Sequence, residues 1–226
     1  DRQGNVYLAS LSLGVQEFTI GPLVATEMVS SIAVARSEDG GITWMGPVSA
    51  ARSFVSTENT RPDEDGNIRG EILVSFLDKE WLAIGPHPDD PTKDVIYVTY
   101  TDFVTIYQVL YIDELPVLGA SQVETTIRMV RSEDGGQSWS APIAVSPTVR
   151  RAYGEAGAPG GTGPVSGTKR LVQGSQVDVT KDGKVYVAWM DSTDDDSMKG
   201  LAEIYVARSE DGGATFTQPV QVVSFL

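Results

Sequence analysis

The chain has no cysteine and a single histidine, His87, among 226 residues. No disulfide, thiol nucleophile or zinc–thiolate site can therefore be built, and a His-dependent triad would have to run through one residue. Positive charge is also scarce: 17 Lys+Arg stand against 31 Asp+Glu, a formal charge of −14. That balance argues against nucleic acid or an anionic membrane surface as the main partner, since both demand a basic face. No apolar run approaches the ~18–20 residues of a membrane-spanning helix. The chain opens at Asp1 with neither a methionine nor a signal-like stretch, which points to a piece of something longer.

What the chain does have is a repeat. The segments Ser37-Glu38-Asp39-Gly40-Gly41-Ile42-Thr43-Trp44, Ser132-Glu133-Asp134-Gly135-Gly136-Gln137-Ser138-Trp139 and Ser209-Glu210-Asp211-Gly212-Gly213-Ala214-Thr215-Phe216 are three versions of one pattern. Each follows a strand-like run ending in Arg36, Arg131 or Arg208, and each is followed three residues past its aromatic by Pro47, Pro142 or Pro219. The glycines supply positive-φ positions for a tight turn, the Asp and Ser/Thr side chains can bond the turn amides, and the aromatic can cover the end of a core. A second repeated element, rich in Val and Tyr, lies upstream at residues 4–9, 94–100 and 183–189 and reads as strand. Apolar residues occupy both of its faces, as in Val185-Tyr186-Val187-Ala188-Trp189. Two-sided burial in short antiparallel strands predicts sheets stacked on sheets. The turn aspartates recur after 95 residues (39 to 134) and 77 residues (134 to 211), so the loops between units must vary. These features predict blades of a β-propeller.

The Ser-x-Asp-x-Gly-x-Thr-Trp turn resembles the Asp-box, or bacterial neuraminidase repeat, of sialidase-like β-propellers. The resemblance implies an all-β fold with about three four-stranded blades of a six-bladed ring: blade 1 at about 1–52, lacking its innermost strand, blade 2 at about 53–147 and blade 3 at about 148–226. It assigns a structural role to Ser37, Asp39, Gly41 and Trp44, to Ser132, Asp134, Gly136 and Trp139, and to Ser209, Asp211, Gly213 and Phe216, on the side away from an active centre. An open half-ring would expose blade faces, so the ring would be completed by further blades of a parent chain or by a second copy.

Residues 12–28, 52–79, 102–124, 147–173 and 191–201 read as long loops on the opposite side, where function often concentrates. Sialidases hold a substrate carboxylate with three arginines and use a tyrosine–glutamate pair with an aspartate acid/base. By that resemblance Arg61, Arg150, Arg151, Arg170, Tyr153 and Glu155 are candidate site residues, although the Arg-Ile-Pro signature of the first arginine is missing. Asp78, Glu80 and Trp81 enter an innermost strand, and carboxylates beside a tryptophan suit sugar binding. Asp191, Asp194 and Asp196 could gather oxygens around calcium, but without the spacing or glycine of an EF-hand loop; no other cofactor is expected. The resulting expectation is a secreted, extracellular module that binds glycans or glycoproteins. It would hydrolyse them as an exo-sialidase-type glycoside hydrolase if it is an enzyme. The alternative is a non-catalytic propeller for adhesion or assembly.

Overall fold

A computed structural model describes residues 1–152, 171–193 and 202–225. Among these residues there are thirteen strands and no helix. The first sheet has the order β1-β2-β3, with β1 at Val6–Ile20, β2 at Leu23–Ser37 and β3 at Val48–Arg52. The second is built on β4 (Val55–Pro62), β5 (Ile68–Pro86), β6 (Asp94–Ile112), β7 (Leu115–Ser132) and β8 (Ile143–Ala144), in that order, with β9 (Val149–Ala152) also pairing β7. The third is a four-stranded meander of β10 (Val172–Val179), β11 (Val185–Asp191), β12 (Ala202–Ser209) and β13 (Val220–Phe225). Every pairing is antiparallel.

The sheets stack because the middle one is apolar on both sides. Val95, Tyr97, Ile127 and Met129 turn toward the third sheet and meet Val177, Val185, Val187 and Trp189. Val98, Tyr100 and Val130 turn the other way and meet Ile32 and Val34 of the first sheet. The run from Val95 to Asp102 is buried without interruption, which is what burial of both faces of one strand requires. Each such side chain contributes on the order of 1.5–3 kcal/mol. Burial also pushes the Tyr97 phenol up to about 12, against a smaller opposing effect of the Arg131 guanidinium.

Three of the expected loops are instead strand. Residues 12–28 and 102–124 extend the β1–β2 and β6–β7 hairpins, and much of 52–79 forms β4 and the first half of β5. The chain reverses at Gly21-Pro22, with Gly21 at φ 56°, and at Asp113-Glu114, with φ 48° and 70°. These are the left-handed positions that two-residue hairpin turns need. The extensions hold because they pack on one another: Phe18 and Ile20 of β1 meet Ile72, Val74 and Val109. Where they leave the stacked sheets, the buried Asp102 carboxylate accepts from Ser75 Oγ at 2.7 Å and from Arg128 Nε at 2.7 Å.

The repeated turn has one geometry in all three copies. It links β2 to β3, β7 to β8, and β12 to β13. The Ser37, Ser132 and Ser209 hydroxyls each donate to the turn aspartate at 2.7–2.8 Å and each accept the Gly41, Gly136 or Gly213 amide at 2.8 Å. The other carboxylate oxygen accepts from Thr43, Ser138 or Thr215 at 2.5–2.6 Å. The Thr43 hydroxyl and amide and the Ser37 hydroxyl hold the Asp39 carboxyl down at about 2. At Asp134 and Asp211 partial burial opposes ionisation, but the bonds from Ser138 and Ser132, and from Thr215 and Ser209, outweigh it and both also lie at about 2.

Asp134→Ala removes the acceptor for several turn donors and should cost about 1–3 kcal/mol in urea unfolding. All three carboxyls titrate lower in the folded chain than their ordinary 3.8. Their stabilisation is therefore complete above about pH 4 and is lost as pH falls toward 2, and Asp134→Ala should flatten the acid limb of a stability–pH curve. Arg128→Ala should cost more than Asp102→Asn, because it strands a buried carboxylate whereas the half-exposed guanidinium can be rehydrated. Equal losses on denaturant titration would contradict that assignment.

Candidate functional site

The box turns gather at one end of the sheets, where Asp1, Arg36, Lys93, Asp94 and Glu133 line a polar cleft, and a second cleft with an aromatic floor lies toward the other end. In the third sheet Val185 pairs with Ser209 at the box, and six residues along β11 Asp191 pairs with Glu203. At about 3.3 Å per residue the two ends are roughly 20 Å apart. Asp191 and Glu203 line an open cleft of about 530 Å3 together with Arg150, Trp189, Thr193 and Tyr205. Its floor is aromatic: the Trp189 and Tyr205 rings stack with centroids 6.4 Å apart and planes inclined by 19°.

The antiparallel register places the Asp191 and Glu203 side chains directly opposite each other. Cross-strand neighbours have Cβ atoms about 4.5–5.5 Å apart, and like charges in that relation destabilise a sheet. Among the described residues Asp191 Oδ1 accepts the Thr193 amide at 2.8 Å and Glu203 Oε1 accepts the Gln221 side-chain amide at 3.1 Å. Across the cleft the Arg150 guanidinium is largely exposed and pairs with Glu124 of β7. Trp189 Nε1 and Thr193 Oγ1 are buried with no hydrogen-bond partner among the described residues. The cleft thus combines two adjacent acceptors, a solvent-facing cation, a stacked aromatic floor and unmet polar atoms. A polyhydroxylated ligand can engage the two carboxylates, the cation and the Tyr205 ring, while the Trp189 and Thr193 polar atoms lie beneath the cleft surface.

Of the residues expected from sequence, Arg150 and Asp191 come together here. Arg61 does not join them: it lies exposed on β4 opposite Arg69, with β5, β6 and β7 between β4 and β9. Four strand spacings amount to roughly 19 Å. Arg151 follows Arg150 in β9. Tyr153, Glu155, Arg170, Asp194 and Asp196 lie outside the described residues. Among the described residues no group of three or more His, Asp or Glu side chains could hold a metal ion.

Asp78, Glu80 and Trp81 fall at a bulge in β5, where the register to β6 slips by one residue and Lys79 adopts φ 57°. Lys79 pairs with Asp78 at 3.5 Å. Trp81, 48% exposed, lines a separate cleft with Gln176, Asp178 and Tyr186, to which Asp78 and Glu80 do not contribute.

Sequence reasoning missed Glu203, Tyr205 and Trp189 as site residues. The opposition of Asp191 and Glu203 depends on the β11–β12 register, which a single sequence does not reveal. It also missed the Asp102–Arg128 pair, although an acidic residue inside the apolar run of β6 was a usable signal. No protein-family model matches this chain, and no curated protein matches it in sequence.

If the opposed carboxylates repel, Glu203→Gln should leave the fold intact and raise its thermal midpoint slightly, by about 1–4 °C. A lowered midpoint would mean that the pair is stabilising and not held for a ligand.

Proposed function

We propose that this chain is part of a secreted, sialidase-like β-propeller of the Asp-box kind, contributing about three blades, and that it binds extracellular glycans or glycoproteins in the Asp191–Glu203 cleft. Three sheets of related strand order, each closed by the same turn, support the propeller reading. The observation that carries the functional reading is the pair of carboxylates opposed across β11 and β12 above the Trp189–Tyr205 stack. Carboxylates accept sugar hydroxyls, aromatic faces cover the apolar face of a sugar ring, and Arg150 offers a guanidinium to an acidic substituent.

Hydrolysis is a narrower form of the same reading. Glycosidases act with a pair of carboxyl groups at the scissile bond, and Asp191 and Glu203 bring two carboxyl groups into one cleft. An exo-sialidase would also need further arginines around the substrate carboxylate; of the described arginines only Arg150 lines the cleft. Binding is therefore the function favoured. Adhesion or assembly without a glycan is the second reading, favoured by the apolar side chains Val6, Leu8, Val220 and Val222 left exposed on the outer sheets.

A glycan array probed with the chain, followed by titration of the best ligand, tests the proposal. Binding should weaken about tenfold or more in Tyr205→Ala and in Glu203→Gln, while Trp81→Ala leaves it unchanged. Arg150→Ala should weaken acidic glycans more than neutral ones. Fluorogenic sialosides and other glycosides, assayed alongside, should bind without turnover; turnover lost in Glu203→Gln would establish the hydrolase. No binding to any glycan would overturn the reading and leave assembly.

A further inference from the structure

The two seams between sheets are built alike. In the first sheet Tyr7 of β1 pairs across to Arg36 of β2, in the second Tyr97 pairs to Arg131, and in the third Tyr186 pairs to Arg208. The first two pairs each grip the box of the next sheet. A methyl group placed on Gly135 would lie 3.0 Å from Arg36 Nη1 and 3.4 Å from the Tyr7 hydroxyl. Arg131 Nη1 donates to the Gly212 and Asp211 carbonyls, and a methyl on Gly213 would lie 3.3 Å from Tyr97 Cε1. From the other side, the box aromatic packs back across the seam: Trp139 joins the cluster shared with the first sheet, and Phe216 the one shared with the second.

Each end of the stack carries one half of this seam. On the third sheet, Tyr186 and Arg208 have no box against them; among the described residues Arg208 forms an ion pair only with Glu210 of its own turn, at 2.9 Å. On the first sheet, Gly40 has no atom within contact range of a Cβ, Gly41 has only Trp44 of its own turn, and Trp44 is exposed. Val6 and Leu8 are 40% and 56% exposed, whereas their counterparts Ile96, Val98, Val185 and Val187 are at most 2% exposed. The missing partner of each end is thus present at the other end of the same chain.

We propose that the chain associates head to tail with a second copy of itself, Tyr186 and Arg208 of one copy gripping the Gly40–Gly41 turn of the other, while Trp44, Val6 and Leu8 are covered by its third sheet. The contact joins unlike surfaces, so two copies joined at both ends close on themselves when each contact turns the chain by half a revolution, as two half-rings would. The proposal rests on reading the sheets as an incomplete ring, and glycan binding plays no part in it.

Sedimentation equilibrium of the chain should give twice the chain mass. Arg208→Glu disables one half-seam and Leu8→Arg the other; each should weaken association about a hundredfold. Mixing the two variants should restore a dimer, since Arg208→Glu still offers an intact first sheet and Leu8→Arg an intact third, and recovery on mixing shows that both variants are folded. A monomeric wild type, a dimer indifferent to both substitutions, or loss without recovery on mixing would each overturn the proposal. Labelling distinguishes the source of failure, because Leu8→Cys would be the chain's sole thiol. In a monomer, fast maleimide labelling of Leu8→Cys overturns the second copy and leaves an open ring; slow labelling means the end face is covered from within, and the ring reading falls with it.

Discussion

A sheet that is apolar on both faces must be covered on both faces, and that constraint organises this molecule. In β6 alternate residues serve different neighbours, with Val95 and Tyr97 directed to the third sheet and Val98 and Tyr100 to the first. Neither outer sheet could be removed without uncovering several large side chains, each worth on the order of 1.5–3 kcal/mol. The same constraint does not stop at the outer sheets, which carry the same strands and therefore the same demand. The exposure of Val6 and Leu8 is the constraint left unmet.

The repeated turns have a different task. Their aspartates are tied to neighbouring hydroxyls and amides within one turn, so their low carboxyl pKa values mark structural ion–dipole bonds and not chemistry. By fixing the end of each sheet and presenting two glycines to the preceding Tyr–Arg pair, the turn sets how one sheet meets the next. The opposite end is released from that task. There the third sheet sets Asp191 opposite Glu203, at the mouth of the cleft floored by Trp189 and Tyr205.

The three box turns and the strands around them were legible in the sequence because their signals are local. The strand expected at 183–189 is found at Val185–Asp191, and the strand-like run expected to end at Arg208 is found at Ala202–Ser209. The hairpin extensions were not legible. All of residues 12–17 in β1 are exposed, and Phe18 and Ile20 gain a buried face only where Ile72 and Val74 arrive from far along the chain. Glycine, proline and polar residues near the turns read as loop, yet tertiary packing made them strand. Less of the candidate site was legible. Arg150 was singled out by resemblance to sialidases and Asp191 as a calcium candidate, but the cleft they share depends on the register of β11 with β12 and on the docking of the third sheet against the second.

The most direct measurement is of the seams themselves, by nuclear Overhauser spectroscopy on isotope-labelled chain. The account predicts cross-peaks from the Tyr7 ring to the Gly136 α-protons and from the Tyr97 ring to the Gly213 α-protons, with the glycine signals displaced by the ring currents. Both pairs should appear together, because one repeated contact underlies them. Absence of both, with the antiparallel sheets otherwise intact, would show that the sheets do not stack through their box turns and would contradict the account.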